Sequence, residues 1–343
     1  MRLALGYVPL VDAAALIVAV EGGFTAAEGL SVDLVREPSW ATLRDKLALG
    51  HLDGAHMLAP LAIASALGIS GPETGLAVPL ALNLNGNAIT VSRPLWAEMN
   101  PQGESLEAVA RAFGRVARAR AAQGCPLTLG TVHPFSSHTY QLRLFAARGG
   151  LDLDDAVRTV VIPPPRIAEA LRAGHIDGFC AGSPWNSLAV EDGYGRIVAF
   201  GSEVAPDCPE KVLALPAYAA ATSGALVRAV RRAGRWCAEP RNHDDLARLL
   251  AGPDHLGIAP ALVRRALAGT VVVDADGTRR DAPNFVTFGA AIERPNPAHV
   301  DWLLDRMAAA GQIVPAPALI ERARALYRPD LFDAALAGGD ASS

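Results

Sequence analysis

Gly50-His51-Leu52-Asp53-Gly54 recurs as Gly174-His175-Ile176-Asp177-Gly178, 124 residues further along the chain. At the same offset Gly6-Tyr7-Val8 is answered by Gly130-Thr131-Val132, so two matches share one register. Each copy reads as strand, helix, strand, helix, strand. In the first, residues 3–8 form a strand and Asp12 caps a helix ending at Gly22-Gly23. Residues 31–35 form the next strand, Ser39 caps a helix that Gly50 terminates, and residues 54–58 form a short buried strand. In the second, the strands fall at 127–132 and 158–162, Ser136-Ser137 opens one helix and Pro164-Pro165 the other. Short apolar strands alternating with helices predict a parallel sheet covered on both faces. Two such units predict an α/β protein of two lobes.

A helical tail follows the second unit, with helices expected near 223–238, 242–251, 259–267, 298–310 and 316–326. Placing this tail on the first lobe gives lobe I over 1–84 and 196–343, with lobe II inserted over 85–195. The crossovers then lie near 82–88 and 186–195. In open α/β sheets ligands bind at the carboxyl ends of strands. That puts a cleft between the lobes, lined by 9–12, Trp40, 133–138, 163–165, Pro184 and Trp185.

Composition narrows the function. Of 343 residues 51% are apolar and 19% charged, which excludes a mainly disordered chain and supplies two cores. The net charge of −4 gives no footprint for direct nucleic-acid binding. No run reaches the roughly 18–20 apolar residues of a membrane span. Residues 1–20 supply the first strand and helix of lobe I, so they are read as part of the fold and the chain as its mature form. Cys125, Cys180, Cys208 and Cys237 form no close pair and read as buried thiols in a reducing compartment. There is no GxSxG elbow, Walker loop, GxGxxG or HExxH. His51/His56 and His133/His138 are each five apart, which is not the helix-face spacing of a zinc pair. Neither catalysis, a metal nor a cofactor is expected.

Hydrogen-bond donors stand out instead. Trp40 offers an indole N–H and Lys211 an ammonium, while Asn87, Ser136, Ser137 and His138 all donate. Ser136-Ser137-His138 opens a helix directly after a strand, where free backbone N–H groups favour an anion. Of the 31 basic residues only Lys46 and Lys211 are lysines, so a lysine at 211 suggests that a compact point charge is wanted there. Each residue also has an ordinary reading. Trp40 serves as a core plug, Asn87 as a turn residue, Ser136 as a cap, His138 as a core histidine and Lys211 as a surface lysine.

Several blocks together resemble a known family. They are Trp40 with 42–47, 53–60, 82–91, Ser137-His138 with Leu142-Arg143, Pro163-Pro164-Pro165, Ile176 to Cys180 with Pro184-Trp185-Asn186, and Pro209-Glu210-Lys211. In this order, over about 3–325, they resemble the nitrate-binding protein family related to cyanobacterial nitrate and bicarbonate ABC-transporter receptors. The resemblance implies a type II periplasmic-binding-protein fold with an anion held between the lobes by Trp40, His138 and Lys211. Asn87 stands where nitrate receptors look to have glutamine, and Pro184 lies beside the site. Ser183 and Phe135-Ser136 depart from the family pattern near the pocket. A planar anion that stays ionised suits donors plus one fixed cation, so the cavity is expected to be free of carboxylates. Four heavy atoms at about 1.5 kcal/mol each cap binding near roughly 6 kcal/mol, a dissociation constant of tens of micromolar.

Because the chain starts in its first strand, the resemblance points to the cytoplasmic nitrate/nitrite sensors of the NasS type. Such sensors hold an ANTAR-type RNA-binding antiterminator (NasT-like) inactive until nitrate or nitrite binds. The alternative is the substrate-binding protein of a nitrate ABC transporter with its leader removed. An enzyme of the related thiamin-pyrimidine-precursor group ranks last, since no cysteine-rich or paired-histidine iron site is present.

Overall fold

The computed structural model describes residues 2–221 and 223–338; the outer ends of lobe I as read from the sequence, residue 1 and residues 339–343, lie outside these. The repeated pentapeptides do the same structural work twice. Gly50 (φ 74°) and Gly174 (φ 72°) take left-handed backbone just past the helices Trp40–Ala48 and Pro164–Arg172. The next residue bonds back to the third-last helical carbonyl, His51 N to Lys46 O at 2.8 Å and His175 N to Ala170 O at 3.0 Å. This is the Schellman closure that glycine permits at no steric cost. Asp53 and Asp177 then clamp the neighbouring strand. Ala4 N donates to Asp53 Oδ2 at 2.8 Å and Thr128 N to Asp177 Oδ2 at 2.7 Å. Gly54 and Gly178 close each unit because a Cβ there would stand 2.7 Å from Leu215 Cδ2 or 2.8 Å from Thr90 O.

Thirteen strands occur among the described residues: β1 (Arg2–Tyr7), β2 (Ser31–Arg36), β3 (Gly54–Leu58), β4 (Leu76–Asn85), β5 (Asn87–Ser92), β6 (Leu127–Thr131), β7 (Val157–Val161), β8 (Gly178–Gly182), β9 (Gly195–Phe200), β10 (Pro209–Pro216), β11 (Thr270–Val272), β12 (Arg279–Asp281) and β13 (Val286–Thr287). The first sheet has the order β13-β4-β10-β3-β1-β2 and the second β7-β6-β8-β5-β9. The repeat is visible in their registers. Leu5 pairs with Gly54 and Leu129 with Gly178, each in a parallel ladder.

The sheets are mixed rather than all parallel. β10 runs antiparallel to β3 and β4, and β5 antiparallel to β8 and β9. The cause is the crossing itself. The chain leaves β4 through Gly86, at φ 102°, and enters β5 directly, which fixes the direction of the inserted strand. The segment 196–200, expected in lobe I, belongs to the second sheet, where β9 covers the outer edge of β5. The return to the first sheet therefore falls at 201–208, after β9.

The tail is helical as read, over Gly224–Ala238, His243–Ala251, Pro260–Leu267, Pro297–Ala309 and Pro317–Leu326, with one further helix at Pro329–Ala337. Proline opens four of these six, where its missing N–H costs nothing. Leu226, Val230 and Ala233 of the first tail helix share a buried cluster with Leu16 and Ile17 of Ala14–Glu21, which puts the tail on the first sheet. The hairpin of β11 and β12 instead reaches the second sheet, with Ile197 N donating to Val273 O at 2.9 Å. No helix among the described residues is long and apolar enough to cross a membrane. The cysteines are free; Cys180, Cys208 and Cys237 are buried, whereas Cys125, expected inside, is exposed.

Candidate functional site

Between the sheets the turn after β1, the start of one helix, β3, β5, β10 and the start of a second helix bring polar side chains to one buried point. Trp40 is the first residue of Trp40–Ala48, which Ser39 caps by accepting from Thr42 N at 3.2 Å. His138 and Ser137 open Ser137–Arg148, and Asn87 starts β5. Lys211 lies in β10, whose pairing with β4 shifts register on both sides of it. That irregularity lets the adjacent Glu210 and Lys211 side chains face the same interior point, where a regular strand would send them to opposite faces. Trp40, Asn87, Ser137, His138 and Lys211 are all fully buried.

Four of these five donors meet a carboxylate that the sequence reading left out. Glu210 accepts from Lys211 Nζ and Ser137 Oγ, and from Asn87 Nδ2 at 2.7 Å. His138 Nδ1 stands 3.7 Å from Glu210 Oε1. On its other side Lys211 Nζ lies 2.7 Å from Asp12 Oδ2, and Asp12 Oδ1 lies 2.9 Å from His56 Nε2. The expectation of a cavity free of acids is therefore corrected: two buried carboxylates face one ammonium. Asp12 caps nothing. It stands in a short 3-10 turn, Val11–Ala13, without a capping bond, and its burial is sustained by Lys211.

The unpartnered atoms point to a ligand. Trp40 Nε1 and both ring nitrogens of His138 are buried without a hydrogen-bond partner, as is Ser183 Oγ. Leaving such groups unpaired costs on the order of 1–3 kcal/mol each. The Trp40 ring also carries Lys211 Nζ 5.3 Å from its centroid and packs 5.4 Å from His56.

The remaining candidates do structural work. Ser136 caps its helix, accepting from Thr139 N at 3.2 Å and donating to His133 O at 2.6 Å. Trp185 Nε1 donates across the lobes to Pro9 O at 3.2 Å. Pro184 precedes Trp185–Glu191 and accepts from Leu188 N at 3.0 Å. Trp185 lines an outer cavity of about 560 Å³ with Pro9, Arg36, Pro163, Pro165 and Arg166.

Electrostatics fixes the charges. Burial alone would strip the proton from Lys211, but Asp12 and Glu210 outweigh it and hold the ammonium charged. Burial works against the Asp12 carboxylate too, and Lys211 and His56 overcome it, leaving the acid well below its usual range. Burial, aided by Lys211 and opposed by Glu210, brings His138 down to about 4. His133 is likewise brought down to about 4, mainly by burial. Both histidines are neutral at pH 7. In the unfolded chain they take up protons near 6.5, before the folded protein does, so stability is complete above that pH and is lost as pH falls from 6.5 toward 4. The expected loss is about 1.4 kcal/mol per histidine per pH unit, measurable by urea unfolding at pH 7 and pH 5.

Asp12 was placed in the cleft lining but as a helix cap, while His56 and Glu210 were not assigned to the site. For His56 a signal existed, because it is the one polar side chain in the buried strand Gly54–Leu58. No group of three or more potential metal ligands occurs among the described residues.

The comparisons fit this architecture. The NMT1-like family matches residues 1–251. A nitrate import ATP-binding protein, NrtC, of Synechocystis sp. is 33% identical over 342 residues, 97% of this chain and 49% of that protein. A bicarbonate transport ATP-binding protein, CmpC, from the same organism is 34% identical over 328 residues, 91% of this chain and 46% of that protein. The chain thus spans about half the length of these relatives. Among solved structures, the periplasmic nitrate-binding protein NrtA from Synechocystis PCC 6803 superposes with a TM-score of 0.90 at 23% identity, covering 98% of this chain and 88% of that one. The fold is accordingly the two-lobed one of periplasmic binding proteins, and the chain belongs to the NMT1-like family.

Proposed function

We propose that the protein binds nitrate or nitrite between its lobes as the solute-binding component of an ABC-type import system. One observation carries this reading: Trp40 Nε1 and the His138 ring, both buried and unpartnered, stand with Lys211, Asn87 and Ser137 at one interlobe point. Fixed donors around a single ammonium suit a small planar oxyanion, each charge-assisted bond contributing about 1.5–3 kcal/mol. Relatives named for nitrate import and bicarbonate transport support the same class of ligand. The cytoplasmic, antiterminator-controlling role expected from the sequence gains nothing from these relatives, and import takes its place. Since every donor is buried, the ligand enters when the lobes part and is enclosed when they meet.

Titration calorimetry with nitrate, nitrite, bicarbonate and sulfate tests the reading. Nitrate and nitrite are expected to bind with micromolar dissociation constants. Trp40→Phe, which keeps a ring and removes the indole N–H, is expected to weaken nitrate about 10- to 100-fold. Equal affinity in the variant would remove Trp40 from the site, and no heat with either anion would overturn the assignment.

A further inference from the structure

Glu210 occupies the position that a bound oxyanion needs. Its carboxylate takes hydrogen bonds from Lys211, Ser137 and Asn87, three of the donors assigned to the ligand. Three donors converge on this one carboxylate, so each of these hydrogen bonds is one it accepts. Glu210 cannot simply swing aside. It is 1% exposed, and the side chains around it are buried. The charged and titratable groups facing it are Lys211 on its own strand, Asp12 in the turn after β1, His56 of β3 and His138 at its helix start. Cys180 of β8 and Cys208 before β10 also feel its charge. Burial lowers His56 as it lowers His138, so both are neutral and Asp12 and Glu210 outnumber Lys211 by one negative charge. A monoanion adds a second negative charge among fully buried groups, where bulk solvent screens it little.

We infer that Glu210 is a built-in competitor for the anion, and that nitrate is bound only together with one proton, seated on the Glu210–His138 pair. The proton frees the Lys211, Ser137 and Asn87 donors and restores the charge of the cluster. This rests on the anion-binding reading above and adds a coupling to it.

The test is calorimetry on the full chain in Tris and Bis-Tris, cationic buffers of different ionisation enthalpy that do not compete as oxyanions. About one proton is expected to be taken up per nitrate. Because the liganded form holds the extra proton, nitrate affinity is expected to fall about tenfold per pH unit from pH 6 to pH 8. Glu210→Gln is expected to abolish both the uptake and the slope, and to bind nitrate at least about tenfold more tightly than wild type at pH 8. Nitrate binding by wild type with no proton taken up overturns the coupling alone, as does weaker binding in E210Q. Failure of wild type and a folded E210Q to bind any nitrate overturns the anion-binding reading and the coupling with it. If E210Q does not fold, the wild-type proton count decides.

Discussion

Lys211→Met is expected to abolish nitrate binding and to lower the free energy of unfolding by about 3–5 kcal/mol, the usual cost of removing one partner from a buried ion pair. Lys211 is fully buried and is the ammonium shared by Asp12 at 2.7 Å and by Glu210. Methionine fills much the same volume, so the loss is electrostatic and not a cavity. Without the ammonium, two carboxylates share an interior with two neutral histidines and no cation. Charge reversal to Glu would bury a third carboxylate and is expected to prevent folding. Urea unfolding together with nitrate calorimetry checks the expectation. The double variant Lys211→Met, Glu210→Gln should recover part of the stability, because one stranded charge is gone, yet remain unable to bind nitrate. A Lys211→Met protein within about 0.5 kcal/mol of wild type, the range of ordinary surface substitutions, would mean that the ion-pair cluster does not stabilise the fold.

The second large effect is expected at Asp274. Its carboxylate, 4% exposed, joins Arg93 at the start of a lobe II helix to Arg196 in β9. Arg196 is itself buried and stacks 4.2 Å from the Trp96 ring centroid. Asp274 stands between β11 and β12, in a segment that leaves the first sheet's tail and fastens onto the second. Asp274→Ala is expected to cost about 3 kcal/mol, since Arg196 keeps only the more exposed Glu104 at 2.8 Å. Because this fastening ties one lobe to the other, hydrogen exchange in β9 is expected to rise more than in β1. Uniform exchange across both strands would mean that Asp274 stabilises without joining the lobes.

The reach of the sequence reading follows from how local each signal is. The glycine-closed helix ends are local, and the pentapeptides reported them in both copies, whereas the Asp53 and Asp177 clamps each reach across 49 residues and left no local signal. Trp40, Asn87, Ser137, His138 and Lys211 stood out in the sequence as donors, but it was the family resemblance that implied a shared anion for Trp40, His138 and Lys211. Glu210 was not, because in a regular strand the neighbour of Lys211 faces away, and only the irregular pairing of β10 with β4 turns it inward. Asp12 precedes a helix and carries the residue type of a cap, so nothing local separated a cap from a buried counter-ion. The place of β9 depends on which sheet edge remains free after the chain crosses at Gly86, a tertiary fact with no local trace. β11, β12 and β13 have two or three residues each, too short for an alternating pattern to register.

The most direct measurement is a crystal structure of the protein grown with sodium nitrate at pH 6. Nitrate is expected between the lobes, accepting from Trp40 Nε1, His138 and Lys211 Nζ, with the Glu210 carboxylate drawn off Lys211. Nitrate bound elsewhere, or Lys211 still held by both Asp12 and Glu210 while the anion sits in the cluster without touching it, would contradict the account.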